Sequence, residues 1–407
     1  MSISLSAEEQ ARILVHDTEG WPLAPIIDWL YSADAKIPDA QLFLEQFSKR
    51  LIDVGAPVNR FRYSFWTIHP QLAAISYIWE KNRPGIEMFE VPHGIRETSS
   101  FIGSPAQAVD NSGKPARYHL EKLDLSKEHP VLAEVAAMGA TDYLGIPLTA
   151  VNGEFQSAFV STDRPGGFTD CDIAKLIRLA DFLQPKLDVL SAYRSAVELL
   201  NTYVGQRTGQ RILNGQIKRG DGETIKAALW FSDLRDFTEL SENLPADELL
   251  ALLNSYFEFV FNAVDAHGGE VLRFIGDAML IVFTEEAAGS LEMACEAALS
   301  AAEEAFANLA KLNERRFGEG KPEIRFGVGL HKGTVIYGNV GAPSRLDFTV
   351  MGPAVNRTAR LESLTKELAC PMLFSREFAQ YTGRSVTSHG YHHLKGVAAP
   401  QEVLSLV

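Results

Sequence analysis

Two short stretches constrain this chain more than anything else in it. Phe231-Ser232-Asp233-Leu234-Arg235-Asp236-Phe237-Thr238 and Arg273-Phe274-Ile275-Gly276-Asp277 each run from a strand-like pattern into a turn. Each leaves one aspartate, Asp233 or Asp277, where the strand ends. Two strands that end alike can deliver two carboxylates to one point. Paired carboxylates at one point are what divalent cations need to hold a polyphosphate. Taken singly, each has a plainer reading: Asp277 as a turn residue, Asp233 as part of a tight connection into a helix.

The pattern around them is that of an α+β domain over residues 224–407. A strand is expected over 225–232. An amphipathic helix follows over 245–267, with Pro245 near its first turn and Gly268-Gly269 past its end. Strands 270–276 and 279–284 read as a hairpin with Asp277 in the turn. A helix over 291–316, strands over 325–330 and 334–339, and a helix over 352–368 complete the run. Strand-helix-strand-strand-helix-strand is a ferredoxin-like order with additions.

Upstream, residues 1–168 read as a second α+β domain with an antiparallel sheet. A helix is expected over 38–54, with Leu42, Phe43, Phe47, Leu51 and Val54 on one side. In the strand over 58–68, Phe61, Tyr63 and Phe65 share one face and Arg62, Ser64 and Trp66 the other. A strand over 73–80 follows, then a loop over 105–116 rich in Pro, Gly, Ser and Asn. The remaining elements are a helix over 130–138, a strand over 143–148, a turn at Asn152-Gly153 and a strand over 156–161. Trp21, Trp29, Trp66 and Trp79 are read first as core, with a ligand pocket as the alternative. Residues 169–223 form a helical linker. Ile173, Leu176, Ala180, Leu183, Leu187, Leu190, Val197 and Val204 alternate in steps of three and four once Arg194 and Asn201 take the intervening seam positions, which gives a short coiled-coil seam with polar interruptions or a helix packed on its own domain. Pro185 should kink that helix or split it.

Bulk properties exclude several classes. A net charge of −14 over 407 residues argues against general nucleic-acid binding, which needs basic patches. Cys171, Cys295 and Cys370 lie too far apart for a zinc motif or a disulfide framework. The N-terminus lacks a signal-peptide pattern, and no run reaches the length of a membrane span. The expectation is a soluble cytoplasmic protein with no membrane partner.

The two aspartate stretches, taken with their surroundings, resemble class III nucleotidyl cyclases. Phe231 to Thr238 resembles their phosphate and metal loop, and His267 to Met279 their second metal hairpin. Two further blocks agree in family order: Gly327-Val328-Gly329-Leu330-His331-Lys332-Gly333 with Gly338-Asn339-Val340-Gly341, and Asp347-Phe348-Thr349-Val350-Met351-Gly352-Pro353-Ala354-Val355-Asn356-Arg357-Thr358-Ala359-Arg360-Leu361-Glu362. The resemblance implies that Asp233 and Asp277 hold two Mg²⁺ or Mn²⁺ ions per site. It implies that backbone N–H groups through Phe237 and Thr238 face phosphate, that Asn356 orients the ribose, and that Arg360 stabilises charge on the α-phosphate. It gives Lys395 to the distal phosphates, and Arg273 and Thr349 to the base. These residues would divide between two chains, so the implied assembly is a homodimer through the catalytic domain, with the linker seam as a second contact. The first domain is loosely similar to a GAF-type sensor over residues 38–190, with an unidentified small ligand.

The resemblance therefore implies an adenylyl cyclase converting ATP to cyclic AMP and pyrophosphate, regulated by the first domain. A guanylyl cyclase and a catalytically silent nucleotide sensor are the alternatives. The family's adenylyl members commonly carry lysine at position 273, whereas this chain has Arg273. Arginine only donates hydrogen bonds, which suits adenine N1 and opposes guanine N1–H. Asp236 stands where the family often has glycine, and an inward carboxylate there would repel phosphate. Gly268-Gly269-Glu270 resembles a diguanylate cyclase signature but lacks its further acidic residue.

Overall fold

The computed structural model describes residues 19–149 and 155–407. The expected turn at Asn152-Gly153 lies outside the described residues. The chain divides into two compact units, 1–199 and 200–407.

The first unit is built on a six-stranded antiparallel sheet. Its strands are β1 (Arg60–Trp66), β2 (Leu72–Glu80), β3 (Ile86–Pro92), β4 (Ala116–Tyr118), β5 (Asp142–Thr149) and β6 (Phe155–Thr162), in the order β3-β2-β1-β6-β5-β4. Alternation along β1 buries Phe61, Tyr63 and Phe65 in a core with helix Ala40–Asp53 and the first half of helix Asp170–Val204. Asp39 caps the former by accepting from the Leu42 N–H at 2.7 Å. Leu42 itself is exposed, and Leu44 takes the buried position instead.

The expected loop of this unit needs correction, and of the two readings of the linker helix its first half takes packing on its own domain. Residues 105–112 form a helix, Pro105–Ser112, not a loop. The Ser104 hydroxyl accepts from the Gln107 N–H, Pro105 occupies the first turn, and Gly113 closes the helix with a φ of 58°. The residues that suggested a loop are its caps. Helix Asp170–Val204 runs through Pro185 as one element. Ile173, Leu176, Ala180, Leu183 and Leu187 of the supposed seam are buried in the first unit's own core.

Asp142 is fully buried and ties β4 to the segment ahead of helix Asp170–Val204. It accepts from Arg117 at 2.7 and 2.9 Å and from the Phe168 N–H at 3.0 Å. A Cβ at Gly167 would stand 2.5 Å from its carboxylate, so that position requires glycine.

In the second unit, β7 (Gly222–Leu234), β8 (Glu270–Ile275), β9 (Ala278–Thr284) and β10 (Phe326–Ala342) form the sheet centre in the order β10-β7-β9-β8. That is the ferredoxin-like arrangement. On the side of β10 away from β7, β11 (Arg345–Met351) pairs with its C-terminal part and β12 (Met372–Ser375) with its N-terminal part, and β14 (Gln401–Leu406) and β13 (Val386–His392) continue outward from β12. Helices Ala246–Ala266 and Leu291–Gly318 cover one face through a core that includes Trp230, Tyr256, Met279 and Ile281. The two strands expected over 325–339 are one strand, β10, which passes straight through Gly333. Gly333 is there for close packing: a Cβ would lie 2.5 Å from that of Ala354 on helix Pro353–Glu367.

Candidate functional site

β7 pairs antiparallel with β9, with Ser232 opposite Met279. This register puts Asp233, one residue on, beside the β8–β9 turn that carries Asp277. The two carboxyl groups hydrogen-bond, and Asp233 is raised to about 6, by burial first and then by the hydrogen bond and charge of Asp277. Two carboxylates in this proximity resist simultaneous ionisation, and a divalent cation removes that conflict. Among the described residues no third His, Cys, Asp or Glu joins them. That suits Mg²⁺, which takes one or two carboxylates and completes its shell with water and phosphate oxygens.

Beneath the pair lies a buried charge cluster that sequence reasoning missed. Arg235, two residues past Asp233, points inward. It stands 3.2 Å from Glu362 and also bonds Thr365, both on helix Pro353–Glu367. Glu362 is 4% exposed. Its carboxyl is raised to about 7 by burial, with Arg235 opposing and Asp233 and Asp277 adding to the shift. Tyr256, on the opposite helix layer, donates to Ser232 at 3.1 Å. One guanidinium thus serves two acids, Glu362 and Asp233. Gly327 makes room for it, since a Cβ there would overlap the Arg235 guanidinium and approach Thr365 at 2.4 Å. Glu362 lay inside a quoted motif. Its helical offset of two from Arg360 was the available sign that one faces out and the other in.

Asp236 points to the surface. Its carboxylate accepts from Arg325 at 2.7 Å on the exposed surface. Its φ is 59°, the left-handed region, which explains why glycine serves at this position. Helix Phe237–Asn243 begins directly after it, so Phe237 and Thr238 form the helix's first turn next to Asp233.

Arg273 on β8 reaches across to Asp347 on β11 and bonds its carboxylate. Thr349 lies two residues further along β11 and is buried, with Gly338 as its strand partner. The structure therefore gathers Arg273, Asp347 and Thr349 along one edge. Sequence reasoning missed Asp347, although it stood first in a quoted block.

Asn356 and Arg360 are exposed on one side of helix Pro353–Glu367. With Lys395, held in a turn anchored by the buried Leu394, they line an open cavity of about 860 Å³. Asp233 and Asp277 do not line it. One chain thus presents an acidic half and a basic half as separate features.

Glu270 is buried and structural. It accepts from the Thr208 N–H at 3.1 Å, the Thr208 hydroxyl at 3.0 Å and the Tyr337 hydroxyl at 3.0 Å. Helix Gln206–Leu213, which carries Thr208, is thereby fixed to β8.

The family profile described as the adenylate and guanylate cyclase catalytic domain matches residues 222–396. An adenylate cyclase of Anabaena cylindrica is 35% identical over 179 residues, covering 43% of this chain and 34% of its own length. Adenylate cyclase 1 of Rhizobium meliloti is 36% identical over 147 residues, covering 36% of this chain and 22% of its own length. The chain thus spans about a third or less of these relatives. Among solved structures, the adenylyl cyclase CyaB of P. aeruginosa is 28% identical, with a TM-score of 0.43 over 46% of this chain and 96% of that one. The guanylyl cyclase Cya2 is also 28% identical, with a TM-score of 0.41 over 46% and 93%.

Proposed function

We propose that this chain, whose residues 222–396 match the adenylate and guanylate cyclase catalytic domain profile, is a class III cyclase that converts ATP to 3′,5′-cyclic AMP and pyrophosphate at a homodimer interface. The observation that carries the reading is the Asp233–Asp277 pair, closed by the β7–β9 register within that domain. Asp233 and Asp277 would hold the divalent ions, which supply acidification of the ribose 3′-hydroxyl and neutralisation of the triphosphate. The 3′-oxygen attacks the α-phosphorus in line, and the bond to the bridging oxygen breaks to release pyrophosphate. Arg360 stabilises charge on the α-phosphate, because a fixed guanidinium can meet two oxygens at once. Asn356 orients the ribose, and Lys395 neutralises the distal phosphates.

The separation of the two halves supports the homodimer. If the acidic half of one copy faces the basic half of another, two equivalent sites form about a twofold axis. ATP is favoured because Arg273 can donate to adenine N1 while the Asp347 carboxylate accepts from the 6-amino group. The named relatives are adenylate cyclases. The same Arg273–Asp347 pair supports a second reading, because guanine offers an acceptor O6 beside a donor N1–H.

The test uses the full chain with Mn²⁺ and either nucleotide. Cyclic AMP from ATP in excess of cyclic GMP from GTP is expected. Asp277→Asn and Arg360→Ala should each be inactive alone. Mixed in equal amounts, they should recover about a quarter of wild-type activity, since half the dimers carry one intact site of two. Absence of recovery would sink the shared-site arrangement. Nucleotide binding without a cyclic product would make the chain a sensor.

A further inference from the structure

The first unit contains a cavity of about 620 Å³, within the size range of small-molecule sites. Its floor is the sheet face opposite the main core, where Arg62, Ser64 and Trp66 of β1 project. Helices Pro105–Ser112 and Pro130–Ala137 contribute lining residues from above the floor.

Three features define what the cavity accepts. The first is Arg62. Its Nε donates to Ser64 at 3.2 Å and one terminal nitrogen donates to Ser76 at 3.3 Å. Among the described residues it is in no ion pair. A guanidinium has five donors in a planar fork, so donors remain after both serines are served. Burial weakens its hold on its proton, and nearby Arg60 adds to that effect. A sheltered cation in this state gains from an anionic partner.

The second feature is aromatic. The lining includes Trp66, Phe89, Phe101 and Phe159. Phe159 stacks on Tyr143 with centroids 5.1 Å apart, Trp66 meets Phe101 edge to face at 6.2 Å, and the Arg62 guanidinium lies 5.5 Å from the Phe89 ring centre. Rings lining a cavity favour a flat apolar ligand.

The third feature limits charge. Asp110 and Glu134 also line the cavity. Asp110 is raised to about 6 by burial, and Arg96 is the cation that opposes the shift. The Arg96 guanidinium itself rests 4.0 Å from the Trp66 ring centre. A dianion such as phosphate would have Arg62 as its main cation while facing these acids. A monoanion matches the single fork.

We propose that this cavity binds a small planar aromatic monocarboxylate, with its carboxylate taken by Arg62 and its ring lying among Trp66, Phe89, Phe101 and Phe159. The proposal stands on the first unit alone and is independent of the cyclase reading.

Calorimetric titration of the full chain with benzoate, trans-cinnamate and indole-3-acetate tests it, each paired with its neutral amide and with inorganic phosphate as the dianion control. At least one acid should bind with a Kd below about 1 mM and about tenfold tighter than its amide, the value of one charge-assisted hydrogen bond. Arg62→Gln should remove that preference. Asp110→Asn, which deletes a competing acid from a different element, should tighten acid binding several-fold. Should Arg62→Gln not fold, the acid–amide ratio and Asp110→Asn decide the matter. Failure of all three acids at millimolar concentration overturns the proposal, as does equal binding of acid and amide or tighter binding of phosphate.

Discussion

Replacing Asp277 with asparagine should stabilise the metal-free protein while abolishing its chemistry. In the folded chain the Asp233 carboxyl is raised from 3.8 to about 6, by burial first and by Asp277 second. A raised carboxyl pKa means that ionisation opposes folding. That penalty is absent below pH 3.8, grows until about pH 6 and persists above it. A shift of about two units corresponds to roughly 3 kcal/mol in full. Burial survives the substitution and both groups are partly exposed, so the share relieved by Asp277→Asn is about 1 kcal/mol. Scanning calorimetry of the full chain in chelator should show the second unit's transition about 2–4 °C higher in the variant near neutral pH. Near pH 4 the difference should vanish. Added Mn²⁺ reverses the order: at a hundredfold excess over its Kd the wild type gains about 2.7 kcal/mol, and the variant, with one carboxylate, gains less. A metal-free variant that melts below wild type near neutral pH refutes the reasoning, as does a gain of equal size near pH 4.

Glu270→Gln should destabilise the second unit by about 2 kcal/mol, lowering its melting transition by about 4–8 °C, because the new amide N–H₂ must face donors from either Thr208 or Tyr337. Asp236→Gly should stay within about 1 kcal/mol of wild type by urea denaturation and keep its cyclase rate, since relief of the left-handed φ offsets the lost exposed pair with Arg325. A large rate increase in that variant would mean that the carboxylate does meet the nucleotide. Gly333→Ala should cost about 1–3 kcal/mol by forcing a methyl against Ala354. A neutral result would argue that Gly333 is a break and not a packing contact.

The parts legible in the sequence were those written in local periodicity. Alternation along β1 separated Phe61, Tyr63 and Phe65 from Arg62, Ser64 and Trp66, and the structure puts the first set in the core and the second at the cavity. Trp21, Trp29 and Trp79 are core, while Trp66 lines the cavity. The aspartates ending β7 and preceding β9 were readable because strand, turn and charge coincide within a few residues. What failed was the use of composition for geometry. Ser104, Pro105 and Gly113 looked like loop residues because caps and loops draw on the same set. Gly333 looked like a break because a glycine required for close approach carries no local mark. Arg235–Glu362 and Arg273–Asp347 were out of reach for another reason. Each joins segments far apart in the chain, and nothing in either segment names the other.

The hairpin β8–β9 explains how Arg273, the proposed base contact, and Asp277, the proposed metal ligand, come to share one ribbon. Simple alternation would send Glu270 and Arg273 to opposite faces, since they are three residues apart. The register shows otherwise: Glu270 pairs with Val282 and Arg273 with Leu280, and the shift between Val271 and Arg273 leaves Leu272 over as a bulge. Val282 and Leu280 belong to one apolar cluster with Tyr337 and Val350, on the face away from the two long helices. The bulge therefore returns Arg273 to the face of Glu270, where β11 offers Asp347. It sends Phe274 to the helical side, where it packs on Phe257 with centroids 4.6 Å apart. Glu270, pinned by Thr208 and Tyr337, fixes the near end of the ribbon, and the Phe257–Phe274 contact fixes the far end. Arg273 and Asp277 lie between these anchors and just past them. Their mutual spacing is thus set by backbone register and buried contacts, and does not depend on a nucleotide to organise it.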